Sequence, residues 1–164
     1  MSEKAVIGIG TNLGDKIENI RRAIEAIKLL PNTKVLALSH IYETKPMGIT
    51  DQPNFFNAAI SVETGLSPLA LLGACLGIEA AMGRARAEKN GPRIIDLDLL
   101  IYDRVKSESF ELTLPHPGIL KRAFVMVPLL ELFPNGRAPG LYFGPHLKEI
   151  GCDGVSRLDI ELKI

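Results

Sequence analysis

The 164-residue chain has no tryptophan, only two cysteines and 5% aromatic residues. It has no surplus of charge of either sign: nineteen Lys and Arg oppose nineteen Asp and Glu, a formal net charge of zero at pH 7. A protein that grips long nucleic acid by its backbone carries a basic excess. Nucleic acid is therefore not expected as a partner, and any phosphate chemistry should use a small ligand and locally gathered arginines. No apolar run approaches the length of a membrane span, so no membrane partner is expected. The polar opening, Met1 to Lys4, does not read as a signal peptide. Cys75 and Cys152 lie far apart and form neither a disulfide framework nor a metal-ligand pair; both read as ordinary buried or half-buried thiols. There is no repeat or low-complexity tract, and a cytoplasmic protein is expected. The sequence also lacks a Gly-x-x-x-x-Gly-Lys-Ser/Thr loop. Gly8-Ile9-Gly10 lacks the third glycine of a dinucleotide fingerprint. P-loop enzymes and Rossmann dehydrogenases are thereby excluded.

What is present suits one soluble domain with a full core: 46% apolar and 23% charged residues. Residues 5–10 read as a buried strand. Ile17, Ile20, Ile24 and Ile27 recur at helical steps, and Pro31-Asn32 ends that helix. Residues 34–44 read as one strand and 55–63 as another, with a Pro- and Gly-rich loop over 46–53 between them. Ser67-Pro68 opens a second helix, as N-cap and first helical residue. Its apolar stripe is expected on Leu69, Leu72, Leu76 and Ala80. Glu79 falls on or beside that stripe and should have a partner. Residues 94–102 are strongly strand-like. A short strand is expected over 111–114, a short helix over 117–122 and an apolar helix over 125–132. The tail beyond is Pro- and Gly-rich, with weak strand signals near Val155 and Ile160. Helices interleaved with hairpin-like strands predict an α+β sandwich, compatible with a ferredoxin-like core.

Residues 84–98 carry the most chemistry. Asp96 and Asp98 are two apart on a predicted strand, so both carboxylates point to one side. Ile95, Leu97 and Leu99 point to the other, into a core. Two carboxylates on one face repel unless a positive group lies between them, and magnesium, a hard cation that takes oxygen ligands, is the natural candidate. An isolated Asp-x-Asp is more often a solvated strand face. Here, however, Arg84, Arg86, Lys89 and Arg93 immediately precede it, and arginine matches phosphate oxygens with a planar, always-charged fork. Carboxylates beside an arginine cluster suit nucleotide phosphoryl transfer.

Two further groupings are less specific. In residues 51–59, Asn57 can donate and accept at a heterocycle edge, and Phe55, on the same strand face, could stack on a ring. Spacing alone favours a plain turn entering a strand. In Leu114-Pro115-His116-Pro117 and Arg122-Ala123-Phe124, His116 reads as a turn histidine and Arg122 as a surface charge.

Taken together, the ordered motifs resemble one family. Gly10-Thr11-Asn12-Leu13-Gly14 matches its opening motif. Residues 51–59, 91–99 and 114–132 match its other signatures in order. Gly91-Pro92-Arg93, followed by Asp96-Leu97-Asp98 and an apolar run, is the most specific of them. The chain is identified, over residues 4–134, as resembling the 6-hydroxymethyl-7,8-dihydropterin pyrophosphokinase family of the folate pathway. The resemblance implies a single domain over residues 1–164, with a core of about 4–134 and a C-terminal extension of about 135–164. It implies a ferredoxin-like α-β-α sandwich with a mostly antiparallel sheet, acting as a monomer, with weak self-association left open. It implies transfer of diphosphate from ATP to the pterin hydroxymethyl group, with release of AMP.

The resemblance also implies site residues. Asp96 and Asp98 hold two magnesium ions, and with Arg84 and Arg93 form the catalytic set. Arg84, Arg86, Arg93, His116 and Arg122 contact ATP, with Glu79, Leu99 and Thr113 at the nucleotide site. Phe55 and Phe124 stack on the two pterin faces. Asn57 bonds the pterin edge, helped by Thr44, Pro46, Met47 and Gly48. Relatives often carry tyrosine where Phe55 stands and tryptophan where Asn90 stands. The segments 47–51 and 85–91 read as lids that order when both substrates bind. Two other classes compete: a metal-dependent glycosyltransferase, which would be longer and doubly wound, and a non-catalytic ligand-sensing module, which would not depend on Asp96 or Asp98.

Overall fold

The structure, a computed structural model, describes residues 2–46, 50–83 and 91–163. The chain opens with β1 (Glu3–Thr11), α1 (Lys16–Lys28), β2 (Thr33–Leu38), β3 (Tyr42–Thr44), β4 (Phe55–Thr64), α2 (Pro68–Ala81) and β5 (Asp96–Tyr102). The minor hairpin β6 (Ser107–Glu108) and β7 (Thr113–Leu114) follows, then a 3-10 turn over Ile119–Lys121 and α3 (Ala123–Leu132). The tail adds β8 (Arg137–Ala138), β9 (Leu141–Tyr142), α4 (Gly144–Ile150) and β10 (Val155–Arg157).

The main sheet runs β10-β3-β4-β1-β5, with β2 also on β4, and each pairing is antiparallel. Two strand-helix-strand crossovers put α1 and α2 on one face. There Ile7, Ile9, Ile20, Ile24, Ile60 and Leu71 close the larger core. The opposite face is covered by α3 and the tail, around Val6, Leu100, Met126, Leu129 and Phe143. This is the α-β-α, ferredoxin-like arrangement that the sequence predicts.

Local chemistry explains the element boundaries. Asp15 caps α1 by accepting from the Glu18 N–H at 3.1 Å, and Ser67 caps α2 by accepting from the Ala70 N–H at 3.2 Å. The expected single strand over 34–44 is two strands. At the break, the Ser39 N–H donates to the Ala59 carbonyl, while the Ala59 N–H donates to the Ser39 hydroxyl. A side chain replaces a backbone acceptor there, and the chain bends.

The stripe expected on α2 is also out of phase. Leu71, Cys75, Ile78 and Glu79 face inward, whereas Leu69 and Leu76 are 53% and 41% exposed. Nearly every position of this helix is apolar, so its periodicity marks no face. Of the two thiols, Cys75 is buried and Cys152 is exposed rather than half-buried.

The tail is not an appendage. β10 extends the sheet beside β3. Leu158, Ile160 and Leu162 pack on the larger core, and Phe143 is fully buried in the smaller one. No strand forms at Ile160. Among the described residues, no helix is long and apolar enough to cross a membrane.

Candidate active site

The site is laid out by strand register. Residues directly opposite one another on neighbouring strands share a face. Gly10 of β1 stands between Asn57 of β4 and Asp96 of β5, and Tyr42 of β3 stands opposite Asn57. Tyr42, Asn57, Gly10 and Asp96 therefore form one row across the sheet. Two residues along β1, Ala59, Gly8 and Asp98 form the next. Thr44 stands opposite Phe55. With strands about 4.8 Å apart, Asn57 and Asp96 are separated by about 10 Å.

The gap between them is hollow because β1 contributes glycine. A Cβ on Gly10 would lie 3.2 Å from the Asn57 Oδ1, and one on Gly8 would lie 3.2 Å from the Leu100 Cδ1. The resulting pocket, of about 310 Å3, is floored by these strands and walled by Arg122, Phe124 and Val125 around the start of α3. Thr44, Lys45, Phe55, Asn57, Arg93, Asp96 and Asp98 also line it.

Polar contacts fix these groups. The Asn57 Nδ2 donates to the Thr44 hydroxyl at 3.0 Å. The Arg93 Nη1 donates to the Asp96 Oδ2 at 3.0 Å, and its Nε to the Gly91 carbonyl at 3.2 Å. The cation that the sequence requires near the carboxylate pair is thus partly supplied by the protein. The Arg93 guanidinium also lies 5.7 Å from the centre of the Phe55 ring.

Beneath this, Asn12 ties two walls together. Its Oδ1 accepts from the Arg93 N–H at 2.9 Å, while its Nδ2 donates to the Gln52 Oε1 at 2.8 Å and the Pro53 carbonyl at 2.9 Å. Thr11 donates to the Ile94 carbonyl, and the Asn19 Nδ2 donates to the Leu13 carbonyl at 2.7 Å. Thr11, Asn12 and Asn19 are all buried. The opening motif is therefore a bracket between the entry to β5 and the entry to β4, a role that its spacing does not reveal.

Glu79 has the partner its position demands. It is buried, and its Oε2 accepts from the Leu97 N–H at 2.7 Å. β5 is an edge strand, so this carboxylate holds the peptide between Asp96 and Asp98 from the side away from β1.

His116 packs near Arg122 at the turn after β7. Its N–H donates to the Leu100 carbonyl at 2.8 Å, and its Nδ1 accepts from the Gly118 N–H at 3.0 Å. Burial pushes its pKa below the ordinary imidazole value; the Arg122 charge adds to this and Asp96 opposes it. Both observations describe a neutral ring with its proton on Nε2. A side chain on Gly118 would meet the Arg122 guanidinium at 3.1 Å and the His116 ring at 3.2 Å, so glycine permits this close packing.

Five expected positions, Leu99, Thr113, Glu79, Pro46 and His116, do not line the pocket. Leu99 is buried in the larger core, on the α2 side of β5, because the side chains of Asp96, Asp98 and Leu100 take the pocket side. Thr113 lies on β7, where its hydroxyl donates to the Ser109 carbonyl at 3.3 Å. Glu79 acts through the Leu97 backbone instead. Pro46 is described but is not among the lining residues. Met47, Gly48, Arg84 and Arg86 lie outside the described residues, as do most of the segments read as lids. Gly8, Gly10, Leu100 and Val125 are lining residues that the sequence reading missed. Alternation along Gly8-Ile9-Gly10, set beside Asp96 and Asp98, was the available signal for the glycines.

The donor set fits magnesium. Among the described residues, no cluster of three or more His, Cys, Asp or Glu could cage a metal. Two carboxylates on one wall of an open pocket suit a cation that completes its shell with water and phosphate oxygens.

Residues 6–134 match the family described as 7,8-dihydro-6-hydroxymethylpterin-pyrophosphokinase (HPPK). The chain is 40% identical to the 2-amino-4-hydroxy-6-hydroxymethyldihydropteridine pyrophosphokinase of Methylorubrum extorquens, covering 95% of this chain and 99% of that one. It is 38% identical to the protein of the same name from Pseudomonas aeruginosa, covering 96% and 98%. In structure it is similar to wild-type HPPK-DHPS of Plasmodium falciparum, solved with pteroate. The TM-score is 0.70 at 15% identity, over 96% of this chain. This chain spans 46% of that longer one, and the likeness concerns the fold alone. The match over residues 6–134, with near full-length likeness to two such enzymes, makes this chain a member of the 7,8-dihydro-6-hydroxymethylpterin-pyrophosphokinase family.

Proposed function

We propose that the protein transfers the diphosphate of ATP to the hydroxymethyl group of 6-hydroxymethyl-7,8-dihydropterin, releasing AMP, as a step of folate biosynthesis. The observation that carries this reading is the row Asn57–Gly10–Asp96: an amide suited to a heterocycle edge stands about two strand spacings from a carboxylate suited to a metal. The pterin ring lies over the glycine hollow between Phe55 and Phe124, with its edge on Asn57 and its hydroxymethyl group toward Asp96. Family membership, and the dihydropteridine substrate and pyrophosphokinase activity in the relatives' names, support the assignment.

In this reading, Arg93 and Arg122, with Arg84 and Arg86, bind the triphosphate, and neutral His116 offers its Nε2–H. Asp96 and Asp98 would hold two magnesium ions, which when bound with ATP would supply charge neutralisation to the transferred group and to departing AMP. The pterin hydroxyl oxygen bonds to the β-phosphorus. The bond from that phosphorus to the oxygen bridging to the α-phosphate breaks, and the hydroxyl proton is released. Arg93, held by Asn12 and Asp96, stays aimed at the phosphates, so little reorganisation is needed during transfer. The chain acts as one domain, as a cytoplasmic monomer on two small substrates.

Product analysis tests this reading. With magnesium, ATP and the reduced pterin, AMP and the pterin diphosphate should accumulate in equal amounts. ADP as the nucleotide product, or AMP formed without pterin, would refute it.

A further inference from the structure

Glu131 lies in the last turn of α3, seven residues after Phe124 and so on the same helical face about 10 Å away. Its carboxylate gathers three hydrogen bonds from the far side of the sheet break. Oε2 accepts from the Tyr42 hydroxyl at 2.6 Å and from the His40 N–H at 3.0 Å, and Oε1 lies 2.7 Å from the His40 Nδ1. Burial raises the Glu131 pKa, but the hydrogen bonds from His40 and Tyr42 outweigh it and hold the carboxyl below its ordinary value. Burial, and then the bond to Glu131, push the Tyr42 hydroxyl well above the ordinary phenol value, so it remains a donor. A contact between exposed charged groups contributes little, but this carboxylate is half-buried and bonds a buried tyrosine.

Tyr42 is no arbitrary anchor. It stands beside Asn57 in the row that runs on through Gly10 to Asp96, and shares its sheet face. Thr44, two residues on, holds the Asn57 amide. One carboxylate therefore joins the helix that carries Phe124 to the strand that braces Asn57. We propose that Glu131, acting through Tyr42 and His40, is a positioning residue that sets the gap between Phe124 and the sheet floor, and thereby the affinity for the pterin ring. The proposal rests on the pterin reading above. A ring stacked on both faces needs contacts of about 3.5 Å on each side, and an error of 0.5–1 Å forfeits a quarter to a half of each contact. A clamp two turns away is short enough to control such an error.

Tyr42→Phe and Glu131→Gln test it. Both should raise the Kd for 6-hydroxymethyl-7,8-dihydropterin about tenfold, the scale of losing one charge-assisted hydrogen bond. The Kd for a non-hydrolysable ATP analogue with magnesium should stay within twofold. Leu71→Ala, in the opposite core, serves as a destabilised control whose pterin Kd should not move. Ligand-free NMR spectra should show shifts at Phe124 and at the Asn57 side-chain amide, with Asp96 unmoved. An unchanged pterin Kd, or parallel loss of both affinities in step with Tm, would overturn the proposal. A wild-type protein that bound no pterin would refute the reading of the pocket instead. The ligand-free spectra would still decide the clamp: silence at Phe124 and Asn57 in both variants would end it.

Discussion

Single atoms decide how the pocket is built. Gly10 leaves room that a methyl group would take, and the neighbour it would press is the Asn57 amide. Asn57 cannot retreat freely, because its Nδ2 is held by Thr44. Gly10→Ala should therefore fold normally, since alanine costs less conformational entropy than glycine. It should raise the pterin KM by tenfold or more, the usual effect of one misplaced methyl in a fitted site (about 10–200-fold). Steady-state kinetics with each substrate varied in turn check this, and an unchanged pterin KM would place the ring elsewhere. His116 supplies a pH test. Its native pKa is lowered by burial and then by Arg122. As pH falls below the ordinary imidazole value of about 6.5, the unfolded state takes up a proton that the native state refuses. Stability is lost through that window and levels off below the native pKa. His116→Asn, which keeps an acceptor for the Gly118 N–H, should flatten that part of the stability-pH curve. Urea titrations between pH 8 and pH 5, without nucleotide, should show the wild type losing stability relative to the variant on acidification, and parallel curves would contradict the lowered His116 pKa.

At the scale of elements, legibility followed chemistry that is local in the chain. Ser67-Pro68 marks the start of α2, and alternation puts Asp96 and Asp98 on one side of β5, because caps and strand period act over a few residues. The inward face of α2 was not legible, since leucine and alanine surround the whole helix. The break at Ser39 was hidden because its cause is a hydroxyl bonded to Ala59, twenty residues away. The phase of α2 gives a direct test. Leu71→Ala should cost about 2–5 kcal/mol, as a buried leucine does. Leu76→Ala, on the exposed face, should stay within about 0.5 kcal/mol. Denaturant midpoints for both variants decide it, and a reversed order would return the helix to the phase suggested by its sequence.

Over the whole molecule, the candidate site was readable as a set of residues but not as a layout. Arg93 with Asp96, Asn57, and Phe124 fall in three separate segments of the sequence, yet only the strand order β4-β1-β5 places Asn57 and Asp96 either side of Gly10. Long-range contacts such as Asn12 with Gln52 and Glu131 with Tyr42 leave no local trace in the sequence. The same holds for the tail, whose weak signals concealed a fully buried Phe143. Phe143→Ala should behave as a core substitution, costing about 3–5 kcal/mol. Unfolding should remain one cooperative transition by both fluorescence and circular dichroism. A separate early transition confined to the tail would contradict a shared core.

The central claim is that one sheet face joins a pterin slot to a metal-and-phosphate slot through Asp96 and Asp98. The most direct test is single-turnover AMP formation by Asp98→Ala, with magnesium, ATP and the reduced pterin all saturating. The substitution should slow AMP formation by about a thousandfold or more, the scale of losing preorganised charge stabilisation at a transferring group, while pterin binding stays near wild type. AMP formed at the wild-type rate by this variant would contradict the account.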